Sequence, residues 1–175
     1  VPVAKLEAQT GATAATLNTL ARRGLVEIIV EAVRRAPRGS HEFVVSEPPL
    51  LSGEQEKALQ GIRPALADPA AHKPIVLKGI TGSGKTEVYL RAIAEVLEAG
   101  KTALVLVPEI SLTPQTVERF SSRFSPKGIG VAVLHSHLGE GERHDEWHRV
   151  RDGKARIVIG ARGAVFAPLE NLGLI

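Results

Sequence analysis

The sequence predicts an α/β chain: a parallel sheet covered by helices, preceded by a small unit of two helices and a β-rich tail. Three observations predict it. From residue 50 onward, short apolar runs alternate with longer amphipathic segments, the pattern of successive strand–helix units. Residues 34–49 are rich in proline, glycine and charge, as a linker would be. The charge also divides there. Residues 1–40 carry six basic and three acidic side chains, whereas residues 41–175 carry sixteen of each. The domain boundary is placed at 47/48, giving units 1–47 and 48–175.

In the first unit, residues 3–9 form a short amphipathic helix ending near Gly11. Thr13 can cap a second helix in which Leu17, Leu20 and Ala21 share one face. Arg22 and Arg23 fall in its last turn, where cations suit the helix dipole, and Gly24 stops it. Residues 25–33 are β-rich. Two short helices followed by strands suggest a winged-helix unit. In the second unit, residues 52–67 form a helix with Ser52 as cap and Gln55 at capping-box spacing. Residues 75–78 form a short strand. Residues 86–99 form a helix stopped by Gly100, and 102–107 a strand buried on both faces. Residues 114–124 are helical, with Thr113 as cap and proline at the first position. Strands at 129–134 and 155–159 flank a helix over 139–152, and 173–175 opens a further strand.

The bulk properties exclude several classes. No apolar run approaches the roughly 20 residues of a membrane span, and no secretory leader pattern is present. No cysteine occurs, so this segment holds neither disulfides nor cysteine-ligated zinc. No methionine occurs either, which fits a piece of a longer protein or a chain whose first residue is removed by processing. The local basic excess, Arg22, Arg23, Arg34 and Arg35 in particular, suits either a polyanion partner or a solvated surface.

Gly79-Ile80-Thr81-Gly82-Ser83-Gly84-Lys85-Thr86 matches the phosphate-binding pattern G-x-x-x-x-G-K-[ST] in full, between a predicted strand and a predicted helix. The glycines let successive backbone N–H groups turn toward phosphate oxygens. The helix contributes its positive end. Lys85 would neutralise the β and γ phosphates, and the Thr86 hydroxyl would hold Mg²⁺. The ligand expected is a nucleoside triphosphate, ATP in particular. Hydrolysis also needs a carboxylate on Mg²⁺ and a group that positions water. No acid follows an apolar strand in the right place, so such residues are expected beyond Ile175, and these 175 residues should hydrolyse ATP poorly.

Four segments occur in an order that resembles the PriA family of bacterial replication-restart helicases, within helicase superfamily two: residues 79–90, 104–115, 134–136 and 160–169. The resemblance is dense over 50–175 and diffuse over 1–47. It implies a RecA-like first helicase lobe, partial here, after a winged-helix domain. It implies that Gln55 recognises adenine, although Gln55 also reads as a helix cap. Pro108, Ser111, Gln115, His135, Ser136 and Arg162 match segments that track single-stranded DNA or couple to it. It implies ATP-driven 3′-to-5′ unwinding, forked and single-stranded DNA as substrates, primosome and single-strand-binding proteins as partners, and a cytoplasmic, nucleoid-associated location. Zinc belongs to a cysteine-rich region of the family not present in this chain. Ala161-Arg162-Gly163 departs from the family's threonine-arginine-serine, which weakens that site. Two rival readings stay open: another ATPase or a kinase with the same loop, and a DNA-binding module whose nucleotide site is regulatory or a relic.

Other residues read more plainly. His144 and His148, four apart on a predicted helix, could hold zinc or lie on an exposed polar face with Asp145 and Glu146. Trp147 is expected to pack on the sheet.

Overall fold

The computed structural model describes residues 3–29, 48–68 and 74–175. The chain divides into two compact units, Val1–Arg34 and Arg35–Ile175.

The first unit holds two helices, α1 (Val3–Thr10) and α2 (Ala14–Arg22). Thr13 caps α2: its side chain accepts the Thr16 amide at 3.4 Å. Leu17 is the buried residue of α2. Gly24 follows at φ 72°, a left-handed stop that glycine adopts without Cβ strain. Residues 25–29 form no strand, and Leu25 and Ile29 are exposed. The rest of the expected β-rich tail lies outside the described residues. The two helices of the expected winged-helix unit are therefore present without a described wing.

The second unit is built on four parallel strands in the order β2-β3-β1-β4. They are β1 (Thr102–Leu106), β2 (Val131–Leu134), β3 (Ile157–Gly160) and β4 (Leu172–Leu174). Ala103 pairs with Ile157, and Val131 pairs with the same residue from the other side. Central β3 is buried along its whole length. β1 is less covered than its apolar run suggested, because Leu106 at its end is exposed.

Strand alternation sorts side chains between two layers. Ala103, Ile157 and Ile159 face the helices α4 (Lys85–Glu98) and α5 (Pro114–Phe124), meeting Leu90, Ile93, Leu97, Phe120 and Phe124. Leu104 and Val158 pack with Ala132, Leu134 and Val150, the last from α6 (Glu140–Arg151). A third cluster joins α3 (Gly53–Ala67) to α4 through Leu59, Ile62, Val88 and Ala92.

The helix ends follow their sequence signals. Ser52 and Gln55 make both bonds of a capping box on α3. Thr113 accepts the Thr116 amide, with Pro114 at the first position of α5. Gly100 ends α4 at φ 76°.

Three expectations change. Residues 75–78 form no strand: among the described residues they join no ladder of the sheet, and Val76 is 89% exposed. Trp147 does not pack on the sheet. It lies on the outer side of α6, edge-on to His148 and with the Arg151 guanidinium 5.2 Å from its ring centre. Glu146, expected on the exposed face, is instead buried and accepts the Val133 amide of edge strand β2 at 3.0 Å. An edge strand carries unpaired amides, and this carboxylate satisfies one of them.

Candidate functional site

The loop Gly79–Thr86 leads directly into α4, whose first residue is Lys85. Residues 81–82 turn, with Gly82 at φ 84°. Gly84 stands at the helix N-cap in the left-handed conformation, φ 79° and ψ 22°. An added Cβ at this position would also displace the Gln55 amide from its place against the loop. Helix α4 therefore starts without a side-chain cap. Its first-turn N–H groups and its dipole favour an anion there.

The Lys85 ammonium folds back over the loop, donating to the carbonyls of Gly79 and Ile80, each at 2.7 Å. Among the described residues no carboxylate holds it. Carbonyl oxygens are weaker partners than phosphate oxygens for an ammonium, so an entering phosphate can take over the lysine. Ser83 N–H donates to the Ile80 carbonyl at 3.3 Å, which tightens the turn. Thr86 lies partly buried in the first turn of α4.

Gln55 meets the loop from α3. Its Nε2 donates to the carbonyls of Ser83 (3.3 Å) and Gly84 (3.4 Å), while its Oε1 accepts the Ser52 amide at 2.8 Å. The capping reading of Gln55 thus describes its geometry here, and the loop brace is an addition.

A cleft of about 740 Å³ opens over the loop, lined by Thr81, Gly82, Lys85 and Thr86 on one side and Arg119 and Arg123 of α5 on another. Three cations around a loop with an uncapped helix suit a triphosphate tail in size and sign. Glu87, the acid next to Thr86, is engaged elsewhere: Arg91 Nε binds its Oε1 at 3.0 Å and Arg123 binds its Oε2 at 2.6 Å. It is therefore committed away from metal binding. Among the described residues no group of three or more His, Asp or Glu side chains could hold a metal. His144 and His148 face one another, Nε2 to Nε2 at 2.9 Å, as a pair.

Sequence reasoning missed Arg119, Arg123 and the engagement of Glu87. One signal was available. Phe120, Arg123 and Phe124 lie at helical spacing on one face, so a basic residue occupies a core-facing position.

The other candidates fall into two sets. Pro108, Ser111 and Gln115 follow β1, His135 and Ser136 follow β2, and Arg162 follows β3. These strands are parallel neighbours, so the three segments leave the same edge of the sheet. Pro108, Ser111, Gln115, Ser136 and Arg162 are exposed there. Arg162 Nε lies 3.9 Å from Glu109 Oε1, across the ends of β1 and β3. The His135 ring accepts the His137 amide on Nδ1 at 3.2 Å, which leaves its proton on Nε2. Burial, and next the charge of His137, lower the His135 pKa from its ordinary value, against a raising effect of Glu142. The exposed Arg22 and Arg23 sit at the carboxyl end of α2 in the first unit. Arg34 and Arg35 lie outside the described residues.

The DEAD/DEAH box helicase family profile matches residues 54–174. The Bacillus subtilis replication restart protein PriA is 49% identical over all 175 residues, which cover 21% of its length. The Synechocystis PriA is 44% identical over 164 residues, covering 93% of this chain and 19% of that protein. The chain thus spans about a fifth of the length of the curated relatives it matches. A solved structure of RecG bound to a three-way DNA junction superposes with a TM-score of 0.61 at 32% identity, covering 76% of this chain and 18% of that one. The match across most of the second unit, including the loop and α4, places the chain in the DEAD/DEAH box helicase family, with close similarity to the PriA replication restart proteins.

Proposed function

We propose that these 175 residues are the nucleotide-binding part of an ATP-dependent DNA helicase that recognises stalled forks and restarts replication by primosome assembly, moving 3′ to 5′. The observation that carries the nucleotide reading is Lys85, held among the described residues by two loop carbonyls, at an uncapped helix start inside a cationic cleft. The helicase family supports ATP and Mg²⁺ as ligands, and the PriA relatives support the restart role. The RecG relative, solved on a three-way DNA junction, supports a branched DNA substrate.

In this reading Gly79–Thr86 wraps the phosphates, Lys85 moves from the Gly79 and Ile80 carbonyls to phosphate oxygens, and Thr86 faces Mg²⁺. Gln55 reads adenine from its place beside the loop. Pro108, Ser111, Gln115, His135, Ser136 and Arg162 contact single-stranded DNA at the sheet edge. Arg22, Arg23, Arg34 and Arg35 hold DNA phosphates without reading sequence. The 175 residues contain no Asp-Glu-Glu-His motif and commit Glu87 to arginines, so they bind ATP while turning it over slowly. A cytoplasmic setting fits this role. Among the described residues no helix is long and apolar enough to cross a membrane.

The test is a titration with a fluorescent ATP analogue in Mg²⁺, comparing the chain with Lys85→Ala. Affinity falls at least tenfold in the variant, while binding of labelled DNA by residues 1–47 persists. Equal affinity in the two proteins refutes the nucleotide site.

A further inference from the structure

Helix α5 touches both proposed sites. Its amino end, Pro114 and Gln115, closes the segment assigned to DNA, and its later turns place Arg119 and Arg123 in the cleft over the phosphate-binding loop. Its apolar face, Phe120 and Phe124, shares a core cluster with Leu90, Ile93 and Leu97 of α4. One charged contact reaches the beginning of α4. Arg123, 9% exposed, binds Glu87 Oε2 at 2.6 Å, one residue after Thr86.

That contact is incompletely satisfied. Arg123 Nε is buried and has no hydrogen-bond partner among the described residues. Glu87 divides its carboxylate between Arg123 and Arg91, and Arg91 in turn donates to the Pro49 carbonyl at 2.9 Å. A buried guanidinium with an idle N–H beside an anion-binding cleft is poorly explained by stability, since an unmet buried donor is a cost. It is well explained as a group with two partners. Phosphate oxygens entering the cleft compete with Glu87 for Arg123 and attract Arg119, which meets no acid among the described residues. Either change pulls on α5.

We infer that Arg123 is a positioning residue that fastens α5 to the first turn of α4 through Glu87, and so couples nucleotide binding at Gly79–Thr86 to single-stranded DNA binding at 108–115. The inference rests on the function proposed above. By linkage the coupling is reciprocal: DNA changes nucleotide affinity by the factor that nucleotide changes DNA affinity.

The experiment measures the dissociation constant of a fluorescent ADP analogue in Mg²⁺, with and without saturating oligo-dT, and the converse, on the 175-residue chain. The unsubstituted chain shows a ratio of about fivefold or more in both directions. Arg123→Gln brings both ratios to within about twofold of one, on the same coupling scale. Arg123→Lys, which keeps a cation facing Glu87, retains most of the ratio. Glu56→Gln breaks the exposed Glu56–Arg63 pair and leaves the ratio unchanged. Circular dichroism checks each fold, and if Arg123→Gln is unfolded, Glu87→Gln removes the charge from the same ion pair with an isosteric side chain. Hydrogen exchange adds a readout that needs no variant: the ADP analogue alters protection in residues 115–124 as well as in 79–90. A ratio retained in Arg123→Gln or Glu87→Gln, a ratio of one in the unsubstituted chain, or exchange changes confined to 79–90 overturns the coupling. Failure of the unsubstituted chain to bind the ADP analogue or oligo-dT is a separate result, which overturns the proposed function and this inference with it.

Discussion

Gln55 and Gly84, 29 residues apart in sequence, are joined at the site: the glutamine Nε2 donates to the glycine carbonyl at 3.4 Å. The same side chain completes the cap of α3 by accepting the Ser52 amide. Its amide group is thus divided. The oxygen serves the helix end and the nitrogen serves the loop. Helix α3 and the phosphate-binding loop are tied together by a residue that local spacing alone marks only as a cap.

The two halves of that amide can be separated by substitution. Gln55→Glu keeps an acceptor for Ser52 but loses the donor to Ser83 and Gly84, and places a negative charge near the loop. Nucleotide affinity falls about tenfold, equivalent to about 1.4 kcal/mol, with little change in melting temperature. Gln55→Ala loses both functions and costs about 1 kcal/mol of stability in addition. Titration with the fluorescent nucleotide beside thermal melting checks the pair. Equal affinity in Gln55→Glu and the unsubstituted chain shows that the brace is idle.

Gly82 and Gly84 offer a matched comparison. Both have positive φ, 84° and 79°. A Cβ at Gly82 meets nothing within 4 Å, whereas one at Gly84 meets the Gln55 amide. Gly82→Ala therefore carries the left-handed backbone cost alone, about 1–2 kcal/mol. Gly84→Ala carries that cost and also displaces Gln55, so it is the more destabilised of the two in urea unfolding and the weaker nucleotide binder. The reverse order contradicts the described loop.

Much of this fold is legible because its signals are local. Ser52 with Gln55, Thr113 with Pro114, and Gly100 each mark a helix end within a few residues. The loop is legible for the same reason, since its pattern occupies eight consecutive positions. The failures are non-local. Residues 75–78 have strand composition, but a strand also needs a neighbour's ladder, and no local pattern supplies one. Trp147 is large and apolar, yet the inner face of α6 belongs to Glu146 and Val150, two positions set by how the helix rolls against β2. Arg123 is hidden in sequence because its partner, Glu87, is 36 residues away.

His135 adds a pH dependence to stability on the acid side. Its folded pKa lies below the ordinary value of 6.5 because burial, and next the charge of His137, disfavour the protonated ring. The unfolded chain therefore binds this proton more readily than the folded chain. Stability is unaffected by His135 above pH 6.5 and declines as pH falls through 6.5 toward the folded value. His135→Gln flattens that decline, which unfolding free energies measured from pH 8 to pH 5 report. A slope unchanged by the substitution assigns the acid loss to other groups.

Glu146 secures the edge of the sheet. Its carboxylate is 8% exposed and accepts the Val133 amide of β2, with Arg149 on its other oxygen. Glu146→Ala leaves the partly buried Val133 N–H without its acceptor and leaves the Arg149 guanidinium only its contact with the Val131 carbonyl. The expected cost is about 3 kcal/mol, in the range for breaking a buried charged hydrogen bond from one side. Glu146→Gln keeps the shape and an acceptor oxygen for Val133 but loses the charge facing Arg149, so it costs about 1 kcal/mol. Urea unfolding ranks the two. The Val133 amide gives the more specific signal, because its hydrogen exchange accelerates in the alanine variant and stays slow in the glutamine variant. If both variants exchange Val133 as slowly as the unsubstituted chain, another acceptor protects the edge strand.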